Sequence, residues 1–316
     1  MKNVVVIGGG TGLSTLLRGL KLFPMNITAI VTVADDGSST GRLREEFDIP
    51  AVGDLRNVLV SLSEVEPLVE ELLQYRFDTY SDLNKHAMGN LLLTAMYNIT
   101  GSLTDSLEAL SRIFNIKGSV LPFTEDKAIL MAHTKDGEVI EGESKITKAG
   151  KQIKYVSYKN KVKVTPQVLK AVEEADLIII GIGSLYTSII PNLLSKEMTK
   201  ALKQSSAKKM YICNIMSEHG ETDGYNVSDC VKQINKYVDK NFIDVVLANK
   251  KIVPDYILKL YEEEKSAQIL VDKENIHKMG VKLITADLLS IENNQARHDY
   301  IKTALEVFTY LTRGCK

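Results

Sequence analysis

Two glycine-rich runs and two acidic runs hold the residue types that can handle a phosphorylated ligand. Gly8-Gly9-Gly10-Thr11-Gly12 and Gly181-Ile182-Gly183-Ser184-Leu185-Tyr186-Thr187-Ser188 offer backbone N–H groups and hydroxyls with little bulk between them. An anion can approach such a main chain closely, and a helix N-terminus adds partial positive charge without any lysine. Ala34-Asp35-Asp36-Gly37-Ser38-Ser39-Thr40-Gly41 is more polar than a ribose alone requires. Asp35 and Asp36 suit ribose hydroxyls, Mg²⁺ held through oxygen, or a cap on the next helix. Gly53-Asp54-Leu55-Arg56-Asn57 adds a third acid, which also reads as an N-cap, with Arg56 and Asn57 in the following turn. His86 and Asn90 lie four apart, the spacing of one helix face. Late in the chain Asn249, Tyr261 and Arg297 stand out. A tyrosine can stack on or hydrogen-bond a base, and an arginine can clamp a phosphate with two N–H groups.

The elements that must position these residues follow from periodicity. Four apolar β-formers at 4–7 run into the first glycine turn, and Leu13, Leu16, Leu17 and Leu20 follow at helical spacing. This is a buried parallel strand, a tight turn and a helix. The run lacks the third glycine of G-x-G-x-x-G, which would fall on Leu13, and the chain holds no G-x-x-x-x-G-K-[ST]. A glycine turn that only lets strand and helix pack closely fits the same residues. Further strands are expected at 27–33, 176–180, 211–215, 245–248, 269–271 and 281–286. Helices are expected at 42–47, from 53, at 68–75, from 86, at 104–114, 166–175, from 228, at 256–264 and at 301–311. Short alternations between 128 and 158, broken by Lys135-Asp136-Gly137 and Ala149-Gly150, read as inserted antiparallel hairpins. The fold class is therefore α/β: a Rossmann-like, doubly wound, mostly parallel sheet with a small antiparallel β insertion. We read residues 1–316 as a single nucleotide-binding domain with the insertion at 127–160. Two glycine turns in one such sheet can flank a single crevice where the strand order reverses.

Composition excludes several classes. The formal charge of the 316-residue chain is -1, with 39 basic against 40 acidic side chains, so no field suited to nucleic acid exists. No apolar run approaches the ~20 residues of a membrane span. Met1-Lys2 leads into a strand rather than a signal peptide. Cys213, Cys230 and Cys315 have neither disulfide-framework nor zinc-ligand spacing. A cytoplasmic protein with reduced thiols is the expectation.

Gly8 to Gly12, Ala34-Asp35-Asp36-Gly37, Gly53 to Asn57, Gly89-Asn90-Leu91, Gly183 to Ser188 and Cys213-Asn214-Ile215-Met216 together resemble one family. The set is similar to the gluconeogenesis factors of bacteria, cousins of the 2-phospho-L-lactate transferases in the CofD-like superfamily, from Met1 to about Thr312. The resemblance implies a Rossmann-like fold and a cytoplasmic protein needed for normal cell shape on gluconeogenic carbon. It also implies binding of a UDP-sugar such as UDP-N-acetylglucosamine, with cell-wall synthesis proteins as candidate partners. The transferase branch moves a phospholactyl group from a nucleotide carrier to a deazaflavin, with Mg²⁺. Three places depart from the pattern: Ile182 replaces a common proline, Ser38-Ser39-Thr40 a more glycine-rich run, and His133-Thr134 a histidine-proline. All three keep backbone donors and hydroxyls available.

Two functions stay open, a nucleotide-sugar-binding protein without turnover and a Mg²⁺-dependent transferase acting on a nucleotide-linked substrate. A nicotinamide oxidoreductase fits less well, because the fingerprint is incomplete and the acids are doubled. The residues favour the binding protein, since no serine or cysteine stands beside an evident base. A homodimer is the default assembly. The expected ligand-binding residues are Gly9, Gly10, Thr11, Gly12, Asp35, Asp36, Ser38, Ser39, Asp54, Asn57, Asn90, Gly183, Ser184, Tyr186, Asn214, Tyr261 and Arg297. Asp35, Asp36 and Asp54 are the candidate Mg²⁺ ligands, and no catalytic residue is singled out.

Overall fold

In a computed structural model that describes residues 1–64 and 67–313, β1 (Lys2–Gly8) is buried from Val4 to its end. Burial on both faces is what a continuous Val/Ile run dictates. The strand pairs in parallel with β2 (Met25–Val31), and α1 (Gly10–Leu20) makes the crossover, burying Leu13, Leu16, Leu17 and Leu20. Five helices follow: α2 (Ser38–Phe47), α3 (Gly53–Leu62), α4 (Pro67–Gln74), α5 (Met88–Thr100) and α6 (Leu103–Ile113). The chain then adds β3 (Ser119–Pro122) to the free side of β2.

The insertion is a separate antiparallel sheet of β4 (Leu130–Thr134), β5 (Val139–Glu141) and β6 (Ile153–Tyr158), with β4 in the centre. Between β5 and β6 it also carries α7 (Glu143–Ala149), which alternation alone does not announce. The α/β rhythm resumes with α8 (Pro166–Glu173) and β7 (Leu177–Ile180), whose four residues are all buried and pair with β1. Next come α9 (Lys196–Gln204), β8 (Lys208–Ile212), α10 (Val227–Val238), β9 (Val245–Asn249), α11 (Asp255–Glu263), α12 (Lys273–Lys278) and β10 (Lys282–Ala286). A hairpin of β11 (Leu289–Glu292) and β12 (Gln295–His298) leads to α13 (Tyr300–Arg313).

The main sheet has the order β10-β9-β8-β7-β1-β2-β3, with all neighbours parallel. The fold is thus α/β, a parallel seven-stranded sheet with helices and a small three-stranded antiparallel sheet. α13 returns to α1 so closely that a Cβ on Gly19 would stand 2.1 Å from the Tyr300 carbonyl oxygen.

Some expectations need correction. Residues 269–271 are not a strand, because β10 already occupies the open side of β9; the residue just before them, Gln268, forms an isolated bridge to Met216. The second strand starts and ends two residues earlier than its apolar run, so Thr32 to Ala34 already belong to the cleft loop. Ser38, Ser39 and Thr40 form the first turn of α2 rather than a loop. Cys213 and Cys230 are buried, and Cys315 lies outside the described residues. Among the described residues no helix is long and apolar enough to cross a membrane.

Candidate nucleotide-binding cleft

β1 and β7 are neighbours from which the chain winds outward in opposite directions, the switch point where such sheets open a crevice at their carboxyl ends. The Gly8–Gly12 turn follows β1 and the Gly181–Ser184 turn follows β7, so the two face each other. Asn214, after β8, braces the second turn: its Nδ2 donates to the Gly183 carbonyl (2.8 Å) and its Oδ1 accepts from Gly183 N–H (3.3 Å). The glycines have steric reasons of their own. A Cβ on Gly12 would meet the Ile182 carbonyl at 3.0 Å, one on Gly9 would meet Asp54 Oδ2 at 2.7 Å, and Gly10 has φ +68°. Close packing alone therefore accounts for their type.

Three chambers join along this crevice. One of about 350 Å³ is bordered by Thr11, Gly12, Ser184, Asn214, Tyr261 and Arg297. A middle one of about 280 Å³ shares Thr11, Gly12, Gly183 and Ser184 with it and adds Gly9, Gly10, Asp35, Asp54 and Glu143. A third of about 210 Å³ shares Asp35 and Asp54 with the middle one and adds Ser38, Ser39, Asn57 and Asn90.

Carboxyl groups crowd the middle. Asp54 does not cap its own helix, whose N-cap is Val52; it reaches across and accepts from Gly10 N–H (2.8 Å), capping α1 instead. Burial pushes its carboxyl up to about 7, with Asp35 repulsion adding and the Gly10 N–H and Arg56 pulling back. Glu143, brought in by α7, is pushed up to about 8 by burial and by Asp35, Asp54, Asp36 and Glu218. Asp35 Oδ1 accepts from Gly37 N–H (2.8 Å). Asp36 turns the other way: its Oδ1 accepts from Ser144 N–H (2.8 Å) at the start of α7, and Gly142 leaves room for Oδ2. Asp36 thus fastens the insertion and borders none of the three chambers. Two carboxylates plus ligand phosphates are a usual Mg²⁺ environment, which Asp35 and Asp54 fit. Among the described residues, no group of three acid, histidine or cysteine side chains is arranged to enclose a metal ion.

A family model described as 2-phospho-L-lactate transferase CofD matches residues 4–289. The chain belongs to the CofD family. It is 47% identical to a gluconeogenesis factor of Halalkalibacterium halodurans, covering 96% of this chain and 94% of that one. It is also 47% identical to the gluconeogenesis factor of Bacillus subtilis, covering 95% of each. A crystal structure of a Bacillus halodurans protein superimposes with a TM-score of 0.94 at 47% identity, over 97% of this chain and 99% of that one.

In this CofD-family cleft most of the expected ligand residues converge, with two clear exceptions. Besides Asp36, Tyr186 stays away: its ring is 1% exposed, its N–H donates to Glu221 (2.7 Å), and its hydroxyl faces Tyr225. The turn that places Ser184 and Ser188 on the cleft sends the intervening bulky side chains into the core. Asn249 is likewise structural, its Oδ1 accepting from Lys251 and Leu288 N–H groups at 3.1 Å each. His86 stands behind the cleft with Nδ1 2.9 Å from Ser39 Oγ, which also accepts from Asn90 Nδ2 (3.2 Å). His133, at one of the unusual positions, stacks on Tyr155 inside the insertion.

Tyr261 lies on α11, and its hydroxyl accepts from Ala296 N–H (3.1 Å), leaving the ring beside the first chamber. Arg297, exposed on β12, shares that rim and donates to Gln295. The CofD-family cleft also holds residues not foreseen: Glu143, Glu218, Arg76 and His298. His298 has no partner for Nε2, and burial lowers it to about 4, so the ring is neutral. Glu218 had a signal, being in the loop that follows β8. Glu143 had none, since only the docking of the insertion brings it here.

Proposed function

We propose that the cleft binds a nucleotide sugar of the UDP-sugar type, UDP-N-acetylglucosamine first among them. One observation carries this reading: a single groove runs past both glycine turns at the β1/β7 switch point, with Tyr261 and Arg297 at one end and carboxylates beyond. In the proposed pose the uracil stacks on Tyr261, Arg297 clamps the diphosphate, and the turns supply N–H and hydroxyl donors. Asp35 and Asp54 take ribose or sugar hydroxyls, or a Mg²⁺ ion held against the phosphates. Mg²⁺ would supply only charge neutralisation between the carboxylates and the diphosphate. On this reading the protein is a cytoplasmic gluconeogenesis factor, homodimeric, that supports cell shape during gluconeogenic growth together with cell-wall synthesis proteins.

Calorimetry with UDP-N-acetylglucosamine, with and without EDTA, is the direct test. Saturable heat is expected; silence with this and other nucleotides would remove the proposal, and affinity indifferent to EDTA would remove the metal. The crowding of Asp35, Asp54 and Glu143 also supports a second reading, a Mg²⁺-dependent transferase of the 2-phospho-L-lactate transferase type. The binding protein is favoured because Ser39, the serine that meets a histidine (His86 Nδ1, 2.9 Å) at the third chamber, is itself only 2% exposed and also accepts from Asn90 Nδ2. The nucleotide is expected to stay intact over hours with Mg²⁺. Steady release of UDP or UMP, abolished by Asp54→Asn, would establish the transferase instead.

A further inference from the structure

The third chamber differs chemically from the rest of the groove. Gly37 and Ser38 at the start of α2, Gly53 at the start of α3 and Asn90 in the first turn of α5 all border it. So do Arg56 and Arg76. Arg56 is 7% exposed, lying across Gly89, where a Cβ would be 2.8 Å from its Cγ and Cδ. Its Nη2 donates to Asn57 Oδ1 (2.6 Å), yet its Nε has no partner. Arg76 is exposed and spends one N–H on the Lys85 carbonyl (3.0 Å). Among the described residues neither guanidinium forms an ion pair. Opposite them Asn90, 1% exposed, leaves Oδ1 unpaired.

Unpartnered buried polar atoms are costly, and two neighbouring guanidiniums add repulsion. Arg56 is lowered accordingly, by burial first and by Arg76 next. A ligand that relieves both costs brings an anionic oxygen to the arginines and a hydroxyl to Asn90. At about 210 Å³ the chamber suits a small metabolite rather than a nucleotide. Asp35 and Asp54 border it on the side shared with the middle chamber, which confines the anion to the arginine side.

We propose that this chamber is a second ligand site, built from Arg56, Arg76 and Asn90, for a compact oxyanion that also carries a hydroxyl, such as a small phosphomonoester. The site uses neither Tyr261 nor Arg297 and stands independently of the UDP-sugar reading. The guanidinium fork binds two oxygens of one phosphate, and Asn90 Oδ1 accepts the remaining hydroxyl proton.

Inorganic phosphate is the probe, titrated into the full chain and followed by ³¹P resonance and calorimetry, alone and with UDP-N-acetylglucosamine present. Saturable binding below about 10 mM is expected. Arg76→Gln and Arg56→Gln are each expected to weaken it by about tenfold or more, the scale of a charge-assisted pair. Sulfate, which carries no proton at neutral pH, is expected to bind more weakly. Arg76 is on the surface, so its variant keeps the test decisive if Arg56→Gln does not fold. Phosphate displaced by UDP-N-acetylglucosamine, bound equally well by Arg76→Gln, or not saturable would each overturn the second site. The phosphate arm is read without nucleotide, so it stands or falls separately from the UDP-sugar proposal.

Discussion

Replacing Arg297 by alanine is expected to weaken UDP-N-acetylglucosamine binding by about 1.5–3 kcal/mol, or about 10- to 150-fold in Kd. Arg297 is exposed on the short β11–β12 hairpin and makes no ion pair among the described residues, so its removal leaves the core intact. The loss should therefore appear in binding and not in thermal stability. Calorimetry and a melting curve on the same preparation make that separation. A variant that binds as tightly as the parent would take Arg297 out of the phosphate clamp and leave Tyr261 as the only contact proposed at that end.

The second large effect is a pH dependence centred on Asp54. In the folded chain its carboxyl is pushed up to about 7, whereas an unfolded aspartate ionises near 3.9. Between those values the folded state holds more protons than the unfolded one, so stability falls as pH rises. This carboxyl's contribution is greatest below about pH 4, is lost through the window up to about 7, and is flat above it. At 1.36 kcal/mol per pKa unit the ionised form costs on the order of 4 kcal/mol, an upper bound because the side chain keeps some access to water. Glu143 and Glu221, each pushed up to about 8, act with the same sign and extend the window upward. Urea midpoints should thus fall from pH 5 to pH 8.5 in the parent. Asp54→Asn should flatten that fall while still accepting from Gly10 N–H, and should be the more stable protein at pH 8. An unaltered pH profile in the variant would mean that the acid cluster does not control this trend.

The parts of the fold that are legible in the chain are those where one side-chain pattern permits one environment. Val4 to Ile7 and Leu177 to Ile180 can only be strands covered on both faces, and each runs into glycine. The two turns and their shared crevice follow from that. β3 was hidden because four residues ending in Pro122 carry too little pattern. The β11–β12 hairpin had a signal in Asn293-Asn294, both at positive φ, which is the requirement of a tight hairpin turn. Within the site, Asp35 and Asp36 are indistinguishable as neighbours in a loop, and only tertiary contact sends one to the groove and the other to the insertion. Tyr186 follows the same logic in reverse: a polar tip does not stop a large ring from joining the core. Glu143 and Arg76 come from segments with no periodic link to the sheet, so nothing local marks them.

The division of labour between Asp35 and Asp36 has a practical consequence. Two consecutive peptide units carry the groove on one side and the anchor of a three-stranded sheet on the other. Any shift of the backbone that accommodates a ligand at Asp35 is passed to the Ser144 amide through a single hydrogen bond. That amide is a built-in reporter: its rate of hydrogen–deuterium exchange registers whether the groove is filled, from a position that no ligand needs to touch.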